Sequence, residues 1–440
     1  MKNILVIGAG RSASSLIKYL LDHSAAENWS LTVGDVSLEM AQQKTAGYPR
    51  ARAIAFDIQN EQQKHEEIQK ADLVISMLPA VLHLAVAKDC VRFKKHLVTA
   101  SYVSRDIAAL EADAKNAGII LMNEIGLDPG IDHASAMRVI DHAKESGGEV
   151  IGFRSYCGGL VAPECNDNPW GYKFTWNPRN VVLAGQGGDA QFIEHGKMRS
   201  IPYEKLFVET EIIDVRGYGS FEAYANRDSL SYRKPYGLEN IPTMLRGTLR
   251  MPGYCKGWNA VIKLGLTDDS KRMAGLDKLS WRQLVKTLNP GMSSSVAQYL
   301  GEKENSEVMK KLEWLEIFTE RKIEMQEGTP AQALQQLLEE KWKLKPHDHD
   351  MIVMQHEFEI KMAMAGTKKI ISSLVVKGED QVHTAMAKTV GLPAAITSKL
   401  ILQEKIKARG VVIPTIKEIY EPVLDELETY GIKFEERELS

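Results

Sequence analysis

Cysteine is scarce in this chain: Cys90, Cys157, Cys165 and Cys255 are the only four among 440 residues. No two of them stand at zinc-finger spacing, so no metal site is expected from them. Sparse, unpatterned cysteine fits a compartment that keeps thiols reduced. No long apolar run opens the sequence. Met1-Lys2-Asn3 leads into Ile4-Leu5-Val6-Ile7 and then glycine, too short a run for a secretion signal or a membrane span. A cytoplasmic protein that meets no membrane is the expectation. An excess of one charge sign is also missing. The formal net charge is -3, whereas a general nucleic-acid binder carries a strong basic excess. Small anionic ligands stay open, because a pocket needs only a few well-placed arginines. Internal repeats and low-complexity tracts are absent.

What remains is ordinary globular protein, 44% hydrophobic and 26% charged. A chain of this length usually divides into two or three domains. Residues 2–7 form a short apolar run that ends at glycine, as a buried parallel strand does. Further strand patterns lie at 29–33, 51–55, 73–77, 96–99 and 119–122, and helical spacing separates most of them. Strand and helix in alternation predict an α/β fold, an open parallel sheet with helices on both faces.

Between the first strand and the first helix stands Gly8-Ala9-Gly10-Arg11-Ser12-Ala13. In a dinucleotide-binding Rossmann unit, the first glycine permits the tight turn. The second lets the pyrophosphate approach the backbone, and the third small residue packs helix on strand. The helix N-terminus then offers N–H groups and partial positive charge to the phosphates. A plain strand-to-helix turn is the competing reading of the glycines alone. Asp35 ends the second strand, where an acid binds the adenosine ribose hydroxyls and repels a 2′-phosphate. It favours NAD(H) over NADP(H), although Arg11 could meet a phosphate; a helix cap is the other use of such an aspartate. Val36 follows in the same turn. Asp57-Ile58, after the third strand, suits an adenine-side contact. Met77-Leu78-Pro79, after the fourth, suits a backbone wall beside the cofactor.

The pattern changes past about residue 130. Strand-like pieces with many glycines and aromatics occupy 151–263, helices dominate 268–345, and strands return at 351–364 and 369–376. One helix is predicted over about 382–390, stopping at Gly391-Leu392-Pro393, and another over 394–405. The expected organisation is a Rossmann domain from 1–130 and about 382–440, and an α/β substrate-binding and dimerisation domain from 131–265 and about 348–381. A helical domain from 266–347 completes it.

Longer motifs add a resemblance. His96-Leu97-Val98-Thr99-Ala100-Ser101-Tyr102-Val103-Ser104 and Met122-Asn123-Glu124-Ile125-Gly126-Leu127-Asp128-Pro129-Gly130-Ile131-Asp132-His133 are similar to segments of the saccharopine reductases, the glutamate-forming saccharopine dehydrogenases. So are Ser155-Tyr156-Cys157-Gly158-Gly159-Leu160, Asn226-Arg227-Asp228-Ser229, Arg246-Gly247-Thr248-Leu249-Arg250 and Arg409-Gly410-Val411-Val412. The resemblance spans essentially the whole chain. It implies a homodimeric, nicotinamide-dependent oxidoreductase that interconverts saccharopine with L-glutamate and α-aminoadipate semialdehyde.

The resemblance also implies site residues. Arg227 and Arg250 fall at substrate positions, where guanidinium forks suit carboxylates, together with Ser101, Tyr102, Asp128, Thr248 and Leu249. Ser101 and Leu127-Asp128-Pro129 fall at cofactor contacts as well. Asn177 takes a cofactor position that resembles one held by serine in the family. Asp128, Tyr102 and Cys157 are the candidate proton-transfer groups; His83 and His133 are weaker ones, since a lone histidine is more often structural. In the fungal branch the turn at Gly34-Asp35-Val36 carries an arginine suited to NADP, which the aspartate here puts in question. A carboxyspermidine-type imine reductase and a non-catalytic dinucleotide sensor are the alternatives, the first disfavoured by the pair of arginines.

Overall fold

The computed structural model describes residues 1–293, 295–363 and 366–439. They form two compact units: Met1–Glu149 with Leu374–Glu435, and Val150–Ser373 with Glu436–Ser440.

The first unit is a doubly wound parallel sheet. Its strands run in the order Gly410–Val412, Ile120–Met122, His96–Val98, Leu73–Ser76, Lys2–Ile7, Trp29–Asp35 and Ala51–Ala55. Register is set by Ile4 facing Leu73 on one side and Leu31 on the other. The inner strands are apolar because both faces are covered, whereas the edge strand Ala51–Ala55 is partly exposed. Leu5, Ile7, Val74, Leu97 and Leu121 pack with Ile68, Val86 and Cys90 from the helices Glu61–Lys70 and His83–Phe93. The strand order reverses at Lys2–Ile7, and there the crevice beyond the carboxyl ends of the strands receives ligands in such folds.

The helix expected to stop at Gly391-Leu392-Pro393 does not. A single helix runs Ala385–Leu402 with Pro393 inside it. Proline in a helix interior costs about 3 kcal/mol, and burial offsets it: most of this helix is buried in the core of the first unit. By length and composition it is apolar enough to cross a membrane, as buried core helices often are. Gly391 serves close packing instead of ending the helix. A Cβ there would lie 2.8 Å from the Leu16 backbone nitrogen and 3.3 Å from the Ser12 carbonyl oxygen. The helix Ser14–Asp22 therefore crosses Ala385–Leu402 with nothing between the backbones.

The second unit centres on a mixed nine-stranded sheet. Its main path is Glu211–Val215, Gly219–Ala225, Thr243–Arg250, Gly148–Val161, Asp350–Met362, Gly366–Lys377 and Glu435–Leu439. The hairpin of Ala190–Glu194 and Lys197–Ile201 attaches at Thr243–Arg250. Thr243–Arg250 runs parallel to Gly148–Val161, with Thr248 opposite Cys157. The helices Tyr254–Lys263, Trp281–Leu288, Glu307–Trp314 and Pro330–Lys341 belong to this unit. Trp170, Tyr172, Phe174, Tyr254, Trp258 and Trp342 form one buried aromatic cluster, mostly edge-to-face.

Gly391→Val forces two backbones apart. It is expected to destabilise the protein by about 1–3 kcal/mol, the usual cost of overpacking. The measurement is the urea midpoint; an unchanged midpoint would show that the crossing has room.

Candidate active site

The turn after Lys2–Ile7 is built for close approach. Gly8 has φ +103°, and its N–H donates to the Gly34 carbonyl at 2.8 Å. A side chain at Gly8 would also meet the Met77 carbonyl at 3.0 Å. At Gly10 a Cβ would meet nothing within 4 Å, so the space beside the backbone is open. Arg11–Ala13 form one turn of 3₁₀ helix that leads into Ser14–Asp22. Ala9 and Ala13 are buried, and Ala13 donates its N–H to the Gly10 carbonyl. Open space at Gly10 and N–H groups at a helix start fit a dinucleotide pyrophosphate.

Both Asp35 carboxylate oxygens are committed. Oδ2 accepts from the Ala9 N–H at 2.7 Å and Oδ1 from the Ser37 N–H at 2.9 Å. The carboxylate is thereby pinned beside the glycine turn. Ser37, not Asp35, caps the following helix Leu38–Thr45. Val36 is exposed, Asp57 is exposed with Oδ1 accepting from the Gln59 N–H, and Ile58 and Leu78 are half-buried.

Beyond the carboxyl ends of Leu73–Ser76, His96–Val98 and Ile120–Met122 lies a second group of polar side chains. His83 is buried, with Nδ1 2.8 Å from Ser76 Oγ, and Nε2 2.8 Å from Ser101 Oγ and 3.2 Å from Thr99 Oγ1. Burial pulls its imidazole down to about 4, so the ring is neutral near pH 7. Half-exposed Tyr102 donates from its hydroxyl to Asp128 Oδ1 at 3.2 Å. Asp128 sits in a turn closed on itself: Gly126 N–H donates to Pro129 O, and Ile131 N–H to Gly126 O. Gly130 has φ +146°, and a Cβ there would fall 2.1 Å from the Gly126 oxygen, so no other residue fits. Leu127 is buried in the same turn.

Glu124 and His133 join this group. Glu124 is buried at φ +56°, with Oε1 accepting from the Val103 N–H at 3.0 Å and Oε2 2.8 Å from His133 Nε2. Residue type alone gave no reason to single out Glu124. Its position inside the Asn123-to-Pro129 motif was the only available signal.

In the second unit, Arg250 is fully enclosed. Its guanidinium carbon lies 5.1, 5.7 and 5.4 Å from the ring centres of Tyr172, Tyr224 and Tyr254. Nη1 donates to the Leu249 carbonyl at 2.9 Å and Nη2 to the Tyr224 hydroxyl at 3.4 Å. Nε has no acceptor, and among the described residues no carboxylate pairs with this cation. Arg227 is exposed and donates to the Gln186 carbonyl at 2.9 Å. Thr248 Oγ1 donates to Asn226 Oδ1 at 2.7 Å, and Leu249 is buried. Cys157 is buried in the strand facing Thr248, and the next residue, Gly158, would carry a Cβ 2.7 Å from the Leu249 oxygen. Asn177 caps the helix Pro178–Val182, its side-chain oxygen accepting from the Arg179 N–H. Of the three tyrosines around Arg250, Tyr254 follows four residues later, whereas Tyr172 and Tyr224 come from other segments, and none was expected.

Strand order, glycine turn and pinned acid define a dinucleotide-binding protein of the doubly wound α/β class. Residues 4–122 match the saccharopine dehydrogenase NADP binding domain, and residues 126–432 match the saccharopine dehydrogenase C-terminal domain. The chain belongs to the saccharopine dehydrogenase family. It is 34% identical to the L-glutamate-forming, NADP(+) saccharopine dehydrogenase of Pyricularia oryzae, over 99% of both chains. It is 35% identical to the mitochondrial alpha-aminoadipic semialdehyde synthase of Bos taurus, over 98% of this chain but only 47% of that protein. The apo L-Glu-forming saccharopine dehydrogenase of Saccharomyces cerevisiae superposes over the full length of both chains with a TM-score of 0.90 at 33% identity.

His83→Asn tests the neutral buried ring. Unfolded, the imidazole titrates near 6.5. Between that value and about 4 the unfolded chain binds a proton that the folded chain does not, so stability falls as pH drops through this window. In His83→Asn the loss of stability from pH 7 to pH 5, measured by urea unfolding, is expected to shrink by up to about 2 kcal/mol. His96, which burial also pulls down to about 4, is present in both proteins and cancels. An unaltered pH slope would show that His83 is solvated.

Proposed function

We propose that the protein interconverts saccharopine and water with L-glutamate and α-aminoadipate semialdehyde, using a nicotinamide dinucleotide as hydride carrier. It is an oxidoreductase acting on saccharopine. The observation that carries the substrate reading is Arg250, a buried cation with no carboxylate of its own. Burying a charge is costly unless it is paired. Cation–π contacts contribute roughly 0.5–2 kcal/mol each and offset part of that cost; a substrate carboxylate offsets the rest. Arg227 serves a second carboxylate from its exposed position, and Thr248 adds a hydroxyl.

The bound nicotinamide accepts or supplies the hydride at the C–N bond. The turn Gly8–Ala13, Asp35, Val36, Asp57, Ile58, Leu78, Ser101, Leu127, Asp128, Pro129 and Asn177 are the residues assigned to holding it. Amine oxidation and imine hydrolysis both require proton movement at nitrogen and oxygen. The hydrogen-bonded pair Tyr102 and Asp128 is assigned that work, with Asp128 also holding the substrate amine. Cys157 is the second proton-transfer candidate, on the strand beside Thr248. Family resemblance supports a homodimer, with 131–265 and 348–381 carrying the substrate and dimer contacts and 266–347 a helical domain; sparse, unpatterned cysteine supports a cytoplasmic location.

The finer cofactor reading is NAD(H), although the matching domain and the fungal relatives carry NADP in their names. Asp35 supports it. Two backbone N–H groups hold its charge at the end of the second strand, where the ribose 2′ position lies in doubly wound folds. A 2′-phosphate would bring like charge to that point.

The first experiment follows NADH and NADPH oxidation with aminoadipate semialdehyde plus glutamate, and with putrescine replacing glutamate. Turnover with glutamate and NADH is expected. Turnover with NADPH alone overturns the Asp35 reading but keeps the reaction, whereas turnover with putrescine alone overturns the substrate. Asp35→Asn is expected to narrow the preference for NADH about tenfold, near 1.4 kcal/mol. Arg250→Met is expected to raise the KM for saccharopine roughly 10–100-fold, the loss of one charge-assisted hydrogen bond, with the KM for the dinucleotide unchanged. An equal rise in both would show that Arg250 supports the fold.

A further inference from the structure

Tyr102 is half exposed, and a surface ring keeps one orientation only if its backbone is held. Glu124 holds it from both sides. Its backbone N–H donates to the Ser101 carbonyl at 3.0 Å, one residue before Tyr102. Its Oε1 accepts from the Val103 N–H at 3.0 Å, one residue after. Its Oε2 meets His133 Nε2 at 2.8 Å, and His133, fully buried, lies in the helix Ile131–Glu145 that begins directly after the Asp128 turn. One carboxylate thus ties the Tyr102 segment to the helix that follows the Asp128 turn. Glu124 does this at φ +56°, a left-handed conformation unfavourable to a glutamate. Such outliers persist where the surroundings over-determine them, and they cluster at functional sites.

We infer that Glu124 is a positioning residue, which brackets Tyr102 and holds its hydroxyl against Asp128. The inference rests on the proton-transfer role proposed for that pair. Glu124 acts in this reading through Tyr102, by its bonds to Ser101, Val103 and His133.

Glu124→Gly is the decisive variant, because glycine adopts the left-handed conformation freely while the side-chain bracket is lost. Its kcat is expected to fall about tenfold, with the KM for the dinucleotide unchanged. Glu124→Gln keeps an acceptor for the Val103 N–H and is expected to recover most of the rate. In a Tyr102→Phe background, Glu124→Gly is expected to cost nothing further. If it costs the same factor there, Glu124 serves the fold at large and the inference falls. Crystal structures give a reading independent of turnover. In Glu124→Gly the Tyr102 hydroxyl is expected to leave hydrogen-bond reach of Asp128; an unmoved ring overturns the inference. A wild-type protein inactive on saccharopine defeats the proposed reaction alone, and the position of Tyr102 in the crystals then decides the matter.

Discussion

The backbones of Leu16 and Gly391 pass each other without room for a methyl group, and the cofactor turn depends on that crossing. Ser12, whose carbonyl also faces Gly391, belongs to the turn after Gly10. The glycine turn is therefore supported from below by a helix far away in sequence. The return strand Gly410–Val412 then pairs with Ile120–Met122 and extends the sheet. A segment that closes a long loop has little local propensity to rely on; burial has to supply its stability. The helix Ala385–Leu402 supplies it with an almost continuous apolar surface.

The second unit meets an opposite demand. Its sheet and aromatic cluster remove water from around Arg250 and, among the described residues, provide aromatic faces, a carbonyl and a phenol in return. A guanidinium does not shed its proton to escape burial, as a lysine or histidine can. The charge therefore persists, and the site favours an anion. Rigid tyrosines fix the direction of the fork better than a flexible carboxylate partner would, which suits bidentate recognition.

Much of this fold was legible in the sequence, for a physical reason. Parallel strands covered on both faces read as short apolar runs, and Lys2–Ile7, Trp29–Asp35 and Leu73–Ser76 lie close to where those runs placed them. The glycine turn was legible because a positive φ and a close backbone neighbour at Gly8 favour glycine. The break expected at Pro393 was misread because a local rule met a tertiary constraint: the cost of one proline is small beside the burial of a whole helix face. Within the site, arginines and acids could be picked by type. Their surroundings could not. Tyr172 and Tyr224 reach Arg250 from separate segments, and the role of Glu124 lies in its backbone conformation, which residue type does not encode.

Asp35, proposed above to face the ribose, also holds the backbone together. Its two oxygens satisfy the N–H groups of Ala9 and Ser37, one in the phosphate turn and one at the start of the next helix. Deleting the carboxylate leaves two backbone donors without partners, at about 1–3 kcal/mol for each that stays buried. Of the basic side chains in this region, Lys44 donates to Ser14 Oγ and Arg52 pairs with Glu67, while Arg11 of the glycine turn is exposed. A 2′-phosphate held here would need a cation such as Arg11 turned toward it and a different acceptor for Ala9. On the reading proposed above, Asp35 couples cofactor choice to the geometry of the glycine turn.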